Sequence, residues 1–429
     1  MTFLWVRNEE SKYVGAIFLC ELLLLGAFGL AVYFLRSRRN QKKTGYLVMF
    51  LLFAFELGCH MSLWGGYSTD RTEYLAHNKE ISAAAYRLKQ GSDFFRAVSD
   101  RKGTDNDGAL LGLPYVSIFS STAYKEMSDF FRKLEGQATP VAYGRFHDTP
   151  LQNMLFSRRY WIGSSAGPGD WEEVEEDFGD GIRISRNPRS LPLGFFVEDV
   201  FFKAWEEASG TAAEVQNQFM EGLGFSTSLR REESEDDLDG TFLFMAKRDG
   251  YYQVLMKTRV PELKLKKNGE ERMVYNVAEG ALLDVGFCRE GELVFVSDEE
   301  KKQKIQGETY YFSEDELDRL FEMLSAHPWK LSCWEDDLLE GSISCPKAGT
   351  LMTTIPFDPG WTVTVDGEKK QPEKRMGAFL GVSLSAGNHR VTMEFKPEGF
   401  VEGSVVSFAS VFFLAVIVLS KGKRKIRER

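Results

Sequence analysis

Residues 350–429 read TLMTTIPFDPGWTVTVDGEKKQPEKRMGAFLGVSLSAGNHRVTMEFKPEGFVEGSVVSFASVFFLAVIVLSKGKRKIRER. Trp361, Val363 and Val365 alternate with Thr362 and Thr364, the period-two pattern of a half-buried strand. Asp366-Gly367 follows as a turn signal. Val391, Met393 and Phe395 alternate again, and Pro397, which lacks a backbone donor, ends that strand. An apolar run begins at Gly403 and a basic tail closes the chain. The stretch therefore predicts a compact β module set beside an apolar helix.

Three apolar runs stand out: Val14–Leu35, broken by Glu21; Tyr46–Leu63, with Glu56 and His60; and Gly403–Ser420. A bilayer core takes about 20 apolar residues as helix, so each is expected to span. Arg36, Arg38, Arg39, Lys42 and Lys43 separate the first two, and Lys421, Lys423, Arg424, Lys425, Arg427 and Arg429 follow the third. Basic clusters stay in the cytoplasm, which places Gly65–Glu402 outside. The expected fold is a membrane-anchored α+β protein with three transmembrane helices and a large extracellular domain ending in a β-sandwich. The expected divisions are 1–64, two spans and a basic loop; 65–239, an α+β region; 240–402, a β-sandwich-like region with one inserted helix; and 403–429, a terminal span and tail.

The net charge is −10 over 429 residues. Eleven basic residues of the two clusters, offset by Glu428, contribute +10, so the remainder carries about −20. Such a field repels nucleic acid and anionic surfaces. The acidic runs Trp171–Asp180 and Glu232–Asp239 lack the spacing of a calcium loop and read as solvated loops. No zinc array, nucleotide loop or nucleophile elbow is present, and no metal is expected. Within the expected outer region, helices are predicted over 71–88, 128–134, 212–223 and, from a Ser313-x-x-Glu316 capping box, up to Pro328. Asn268-Gly269 predicts a tight hairpin.

Ile355-Pro356-Phe357-Asp358-Pro359-Gly360-Trp361, Val365-Asp366-Gly367, Ala386-Gly387-Asn388-His389 and Gly399-Phe400 through Gly403 together resemble the C-terminal signature of YfhO-family bacterial membrane proteins. Upstream, Phe55-Glu56-Leu57, Asp93-Phe94-Phe95-Arg96, Leu155–Ile162, Leu191-Pro192-Leu193-Gly194-Phe195 and Gln216-Asn217 fall in the family's order. The resemblance covers essentially all of this chain, which matches only the C-terminal part of a family member. The family is similar to GT-C glycosyltransferases. It therefore implies a donor that is a polyprenyl-phosphate-linked sugar, an acceptor that is a cell-envelope glycan or teichoic polymer, contact with membrane lipid, and a separate N-terminal membrane half as partner. Such enzymes carry the catalytic carboxylate on an early outer loop, which this chain is expected to lack, so it is expected to be inactive alone. No cofactor is expected within the chain.

Glu56 and His60, one helical turn apart, are the candidate acid/base pair, against a plain helix-packing contact. Arg71 is a candidate phosphate partner, against an interfacial snorkelling residue. Cys333 and Cys345 are set to face each other in a hairpin centred near Leu339, as a disulfide or as two free thiols. Trp361 is expected as a buried anchor, and Asp366, Gly367 and Gly387 as structural residues of the terminal module. Two functions compete: the C-terminal part of a glycosyltransferase, or a non-enzymatic membrane-anchored glycan-binding or assembly module.

Overall fold

A computed structural model describes residues 24–33, 35–36, 42–65, 72, 75, 77–91, 93–99, 104–144, 149–163, 167, 171–174, 181–226, 228–233, 235–236, 240–299 and 303–427. They fall into two compact units, Met1–Ala76 and His77–Arg429. The first holds helix α1 (Lys42–Gly65).

The second unit opens with an α/β layer. Helix α2 (Asn78–Gly91) packs Ile81, Ala84 and Ala85 on a four-stranded mixed sheet. That sheet contains β1 (Arg96–Ser99), β4 (Arg158–Gly163), β5 (Glu172–Glu173) and β6 (Arg183–Arg186) in the order β1-β4-β6-β5, with β1 and β4 parallel. Between β1 and β4 run α3 (Asp107–Leu111), β2 (Ile118–Phe119), α4 (Lys125–Glu135), β3 (Ala142–Tyr143) and α5 (Pro150–Leu155). In α4, Met127, Phe130, Phe131 and Leu134 recur at helical spacing and are all buried, and Gly136 ends the helix at φ 76°.

The chain continues through β7 (Gly194–Val197), α6 (Asp199–Glu207), α7 (Ala212–Gly222), β8 (Leu229–Glu232), β9 (Glu235–Asp236), β10 (Phe242–Met245), β11 (Gly250–Met256), β12 (Val260–Lys267), β13 (Glu270–Val277), β14 (Leu282–Cys288), β15 (Leu293–Asp298) and β16 (Gly307–Phe312). The sheet β13-β12-β15-β10-β9 packs on β14-β11-β16-β8 over Phe242, Val254, Leu263, Leu283 and Val296. Helix α8 (Glu314–Ser325) follows, then β17 (Lys330–Trp334), β18 (Leu338–Cys345), β19 (Gly349–Pro356), β20 (Trp361–Val365), β21 (Glu368–Lys370), β22 (Glu373–Arg375), β23 (Phe379–Leu384), β24 (Gly387–Phe395) and α9 (Phe400–Arg427). Here β17-β18-β24-β20-β21 packs on β22-β23-β19-β7 over Ile343, Leu351, Val363, Leu380 and Val391. A further core, rich in phenylalanine from α4, α6 and α7, touches the outer side of both sandwiches through Tyr251, Phe312, Met352 and Phe379. Strand β11 is consequently buried at every position, so the alternation expected of a one-faced strand is absent there.

Three expectations need correction. Among the described residues no helix is long and apolar enough to cross a membrane, and the described residues are mostly strands in open sheets. Half of the expected first span, residues 14–23 and 34, lies outside the described residues. Glu56 breaks the apolar run within the continuous helix α1, and in α9 the uncharged run 403–420 is short of about 20 residues between Glu402 and the basic tail. The orientation built on three crossings falls with them. The region read as one sandwich with an inserted helix is two sandwiches on either side of α8, because β7, far upstream, supplies an edge of the second. Ser313 caps α8 without a side-chain bond; Glu316 instead accepts from the Ser226 hydroxyl. A true capping box sits at α7, between Thr211 and Glu214.

Candidate functional site

The family-like segments meet in the second unit. Asp358 accepts the Tyr124 hydroxyl at 2.7 Å, joining the start of α4 to the second sandwich, and burial followed by this bond pushes the Tyr124 phenol up to about 12. Gln216 donates to the Leu134 carbonyl at 3.0 Å, and Asn217 exchanges bonds of 2.9 and 2.6 Å with the Leu229 backbone. Gly194 leaves room for Trp329, whose amide donates to the Gly194 carbonyl at 2.8 Å.

Arg96 enters at the start of β1, in register with Arg158 on β4. Its guanidinium donates to the Phe156 carbonyl at 3.0 Å, the Thr354 hydroxyl at 2.8 Å and the Thr354 carbonyl at 3.0 Å. It also lies 5.1 Å from the Phe94 ring centroid. One side chain thus ties β1, the end of α5 and β19 together. Its remaining exposure is into a cavity of about 310 Å³ that it lines with Asn106, Tyr115, Ser117, Tyr143 and Thr354. Burial pulls the guanidinium down to about 10, with the nearby Arg158 charge acting in the same direction. Burial likewise pushes the Tyr143 phenol up to about 12.

The cavity's form follows from short-range constraints. Gly108 permits the α3 turn to approach Tyr115, whose Cβ would lie 2.7 Å from an added methyl. The Asn106 amide pairs with the Phe119 backbone at 2.8 and 2.9 Å, which fixes β2 as one wall. Among the described residues the lining sets one cation, four hydroxyls and an amide among apolar side chains such as Leu113, Val116, Ile118 and Met127, and contains no carboxylate or imidazole. It is equipped to bind an anion and hydroxyls, and it lacks a general base.

The residues expected from sequence lie elsewhere. Glu56 is partly exposed on α1, in the first unit, and takes no part in the cavity. His60 belongs to the same helix, but its side chain, like the whole of Arg71, lies outside the described residues. Cys333 and Cys345 are free. A shift in register puts Cys333 opposite Glu340, while Cys345 pairs with Gly387 on the other side of β18, so the hairpin expected to bridge them does not align them. Asp366 and Gly367 form a two-residue turn with φ 52° and 86°, joining β20 to β21. The Asp366 carboxylate holds the His389 ring at 2.7 Å and accepts the Arg390 amide at 2.8 Å. Gly387 opens β24 at φ 131°. Trp361 is half-buried, its ring 5.0 Å from Phe395, rather than a fully buried anchor. Among the described residues no group of three or more His, Cys, Asp or Glu side chains is placed to hold a metal. Sequence reasoning singled out the Arg96 segment but not its role. The available signal was an arginine directly after two phenylalanines at a strand start; Tyr143 and Thr354 carried none.

The second unit is a double-sandwich β-rich assembly with an arginine-lined cavity beside the second sandwich. The chain belongs to the family described as bacterial membrane protein YfhO, which it matches over residues 1–247 and 301–407. A Bacillus subtilis (strain 168) relative, the uncharacterized protein YfhO, is 27% identical over 90 residues, covering 21% of this chain and 10% of that protein. The chain thus matches about a tenth of that relative's length. Among solved structures, mycobacterial arabinofuranosyltransferase AftD shares 14% identity over 35% of this chain and 12% of its own, with a TM-score of 0.15. The cAMP-bound regulatory domain of Toxoplasma gondii PKA shares 10% identity over 51% of this chain and 96% of its own, also with a TM-score of 0.15. Scores that low carry no argument about fold or activity.

Proposed function

We propose that the chain is part of a YfhO-like glycosyltransferase that uses a polyprenyl-phosphate-linked sugar to modify a cell-envelope polymer, and that its second unit holds the glycan acceptor. Membership of a bacterial membrane family supports the envelope setting. The observation that carries the acceptor role is the Arg96 cavity, whose hydroxyl, amide and aromatic lining suits a sugar ring. Sugar transfer needs a carboxylate or an equivalent base to activate the acceptor hydroxyl, and the cavity lining supplies none. In this reading the chain holds the acceptor, and the catalytic base comes from a separate membrane half. The same feature favours the second reading, a non-enzymatic glycan-binding or assembly module.

The test uses the purified full chain. Immobilised chain should retain purified envelope glycan polymer, and it should show no turnover with polyprenyl-phosphate sugars. Polymer passing through unretained would remove the acceptor role. Turnover by the chain alone that disappears in Glu56→Gln would place the chemistry in α1 and contradict the reading. Restored transfer on co-expression with a separate membrane half would select the enzyme over the binding module.

A further inference from the structure

We infer that the Arg96 cavity binds one sugar unit carrying a single oxyanion, a hexose phosphate in chemical class. The inference rests on the envelope-glycan reading above and specifies the ligand of that site. A buried cation is ordinarily paired with a carboxylate, because desolvating an unpaired charge is costly. Arg96 is instead satisfied by neutral oxygens: two backbone carbonyls and one hydroxyl. Those bonds take three of the five N–H groups that a guanidinium carries. Arg158, in register with it on the next strand, acts on the guanidinium in the same direction as burial. An oxyanion in the cavity would reverse both penalties and accept the remaining N–H groups in the planar fork that suits phosphate.

The rest of the lining fits the sugar. The Tyr143 hydroxyl lines the same cavity and stands close enough to Arg96 for the two to influence each other's ionisation. Tyr115, partly exposed in the lining, supplies ring surface for the apolar face of a pyranose, while Tyr143 and Phe156 are packed against Phe131 behind it. At about 310 Å³ the cavity is at the small end of ligand sites, which run from about 300 to 1,000 Å³, so it suits one unit and not an oligosaccharide. The phosphate has two sources, a glycosyl phosphate resembling the lipid-linked donor or a phosphate-bearing polymer.

The experiment is calorimetric titration of the purified full chain with glucose 1-phosphate, glucose 6-phosphate, glucose and inorganic phosphate. Both hexose phosphates should bind at least about tenfold tighter than glucose or phosphate alone, as expected for a charge-assisted fork combined with ring contacts. Preference for the 6-phosphate would indicate the phosphate-bearing polymer, as the acceptor reading requires, and preference for the 1-phosphate would indicate a donor-like ligand and contradict that reading. Arg96→Gln should weaken hexose phosphate binding about tenfold or more. Because Arg96 also joins three segments, a second variant keeps the test sharp. Ala109 is exposed and lines the cavity, so Ala109→Trp should block it while circular dichroism stays unchanged. Glucose binding as tightly as its phosphates, or wild-type affinity in a folded Ala109→Trp chain, would overturn the inference. Retained polymer without hexose phosphate binding would sink this inference and leave the acceptor role standing. Hexose phosphate binding without polymer retention would do the reverse.

Discussion

Trp329 and Trp361 show how differently two tryptophans of one sandwich contribute. Trp329 is 1% exposed and lies between Gly194 and Gly341, whose missing side chains make its slot. Trp361 keeps a solvent-facing side and leans on Phe395. Replacing Trp329 with Ala should cost about 3–5 kcal/mol, the range for a large buried aromatic. Trp361→Ala should cost about 1–2 kcal/mol, from partial burial and one aromatic pair. Denaturant unfolding of both variants checks this, and equal losses would contradict the assignment. Asp366 makes a pH-dependent contribution. The His389 ring and the Arg390 amide hold its carboxyl below the usual carboxylate range. A depressed native value means the contribution is present above the unfolded value near 4 and is lost as pH falls through the native one. Wild type should therefore unfold later than Asp366→Asn at about pH 6, and the gap should close as the medium is acidified. No gap at about pH 6 would show the pair to be unimportant, and a gap that widened in acid would contradict the depressed native value.

At the scale of elements, the sequence shows local periodicity well and burial on two sides poorly. Phe130, Phe131 and Leu134 at helical spacing, and the Asn268-Gly269 hairpin with φ 53° and 82°, appear as read. The single-sandwich reading failed because the pairing of β7 with β19 joins residues about 150 apart, which no local pattern encodes. The expectation that Cys333 and Cys345 face each other failed for a related reason: a break in register between Leu331 and Cys333 displaces the pairing. The cavity was hidden in the same way, since Arg96, Tyr143 and Thr354 approach one another only after three segments pack. The free thiols give a direct check. Cys333 is partly exposed, whereas Cys345 and Cys288 are buried and burial pushes the Cys288 thiol up to about 12. Alkylation of the native full chain followed by peptide mapping should modify Cys333 well before Cys288 and Cys345. A peptide pair joined through Cys333 and Cys345 would contradict the register.

For the molecule as a whole, segments that resemble the family and lie far apart in the chain converge beside the second sandwich. Arg96 comes from one, Phe156 from another, and Pro356 from the signature that closes the chain, while Thr354 immediately precedes it. Their meeting sets one guanidinium and four hydroxyls in a largely apolar cavity, in a unit that is otherwise acidic overall. A local cation in an acidic surround favours a ligand with one compact anionic group over a polyanion, because long-range repulsion grows with ligand charge while the close contact does not. Hydrogen exchange of the full chain with and without a saturating hexose phosphate tests this convergence most directly. Ligand should slow exchange together in 96–99, 106–118 and 354–356, three segments distant in sequence that share one cavity. Unchanged exchange in all three, or slowing confined to another region such as α9, would contradict the account.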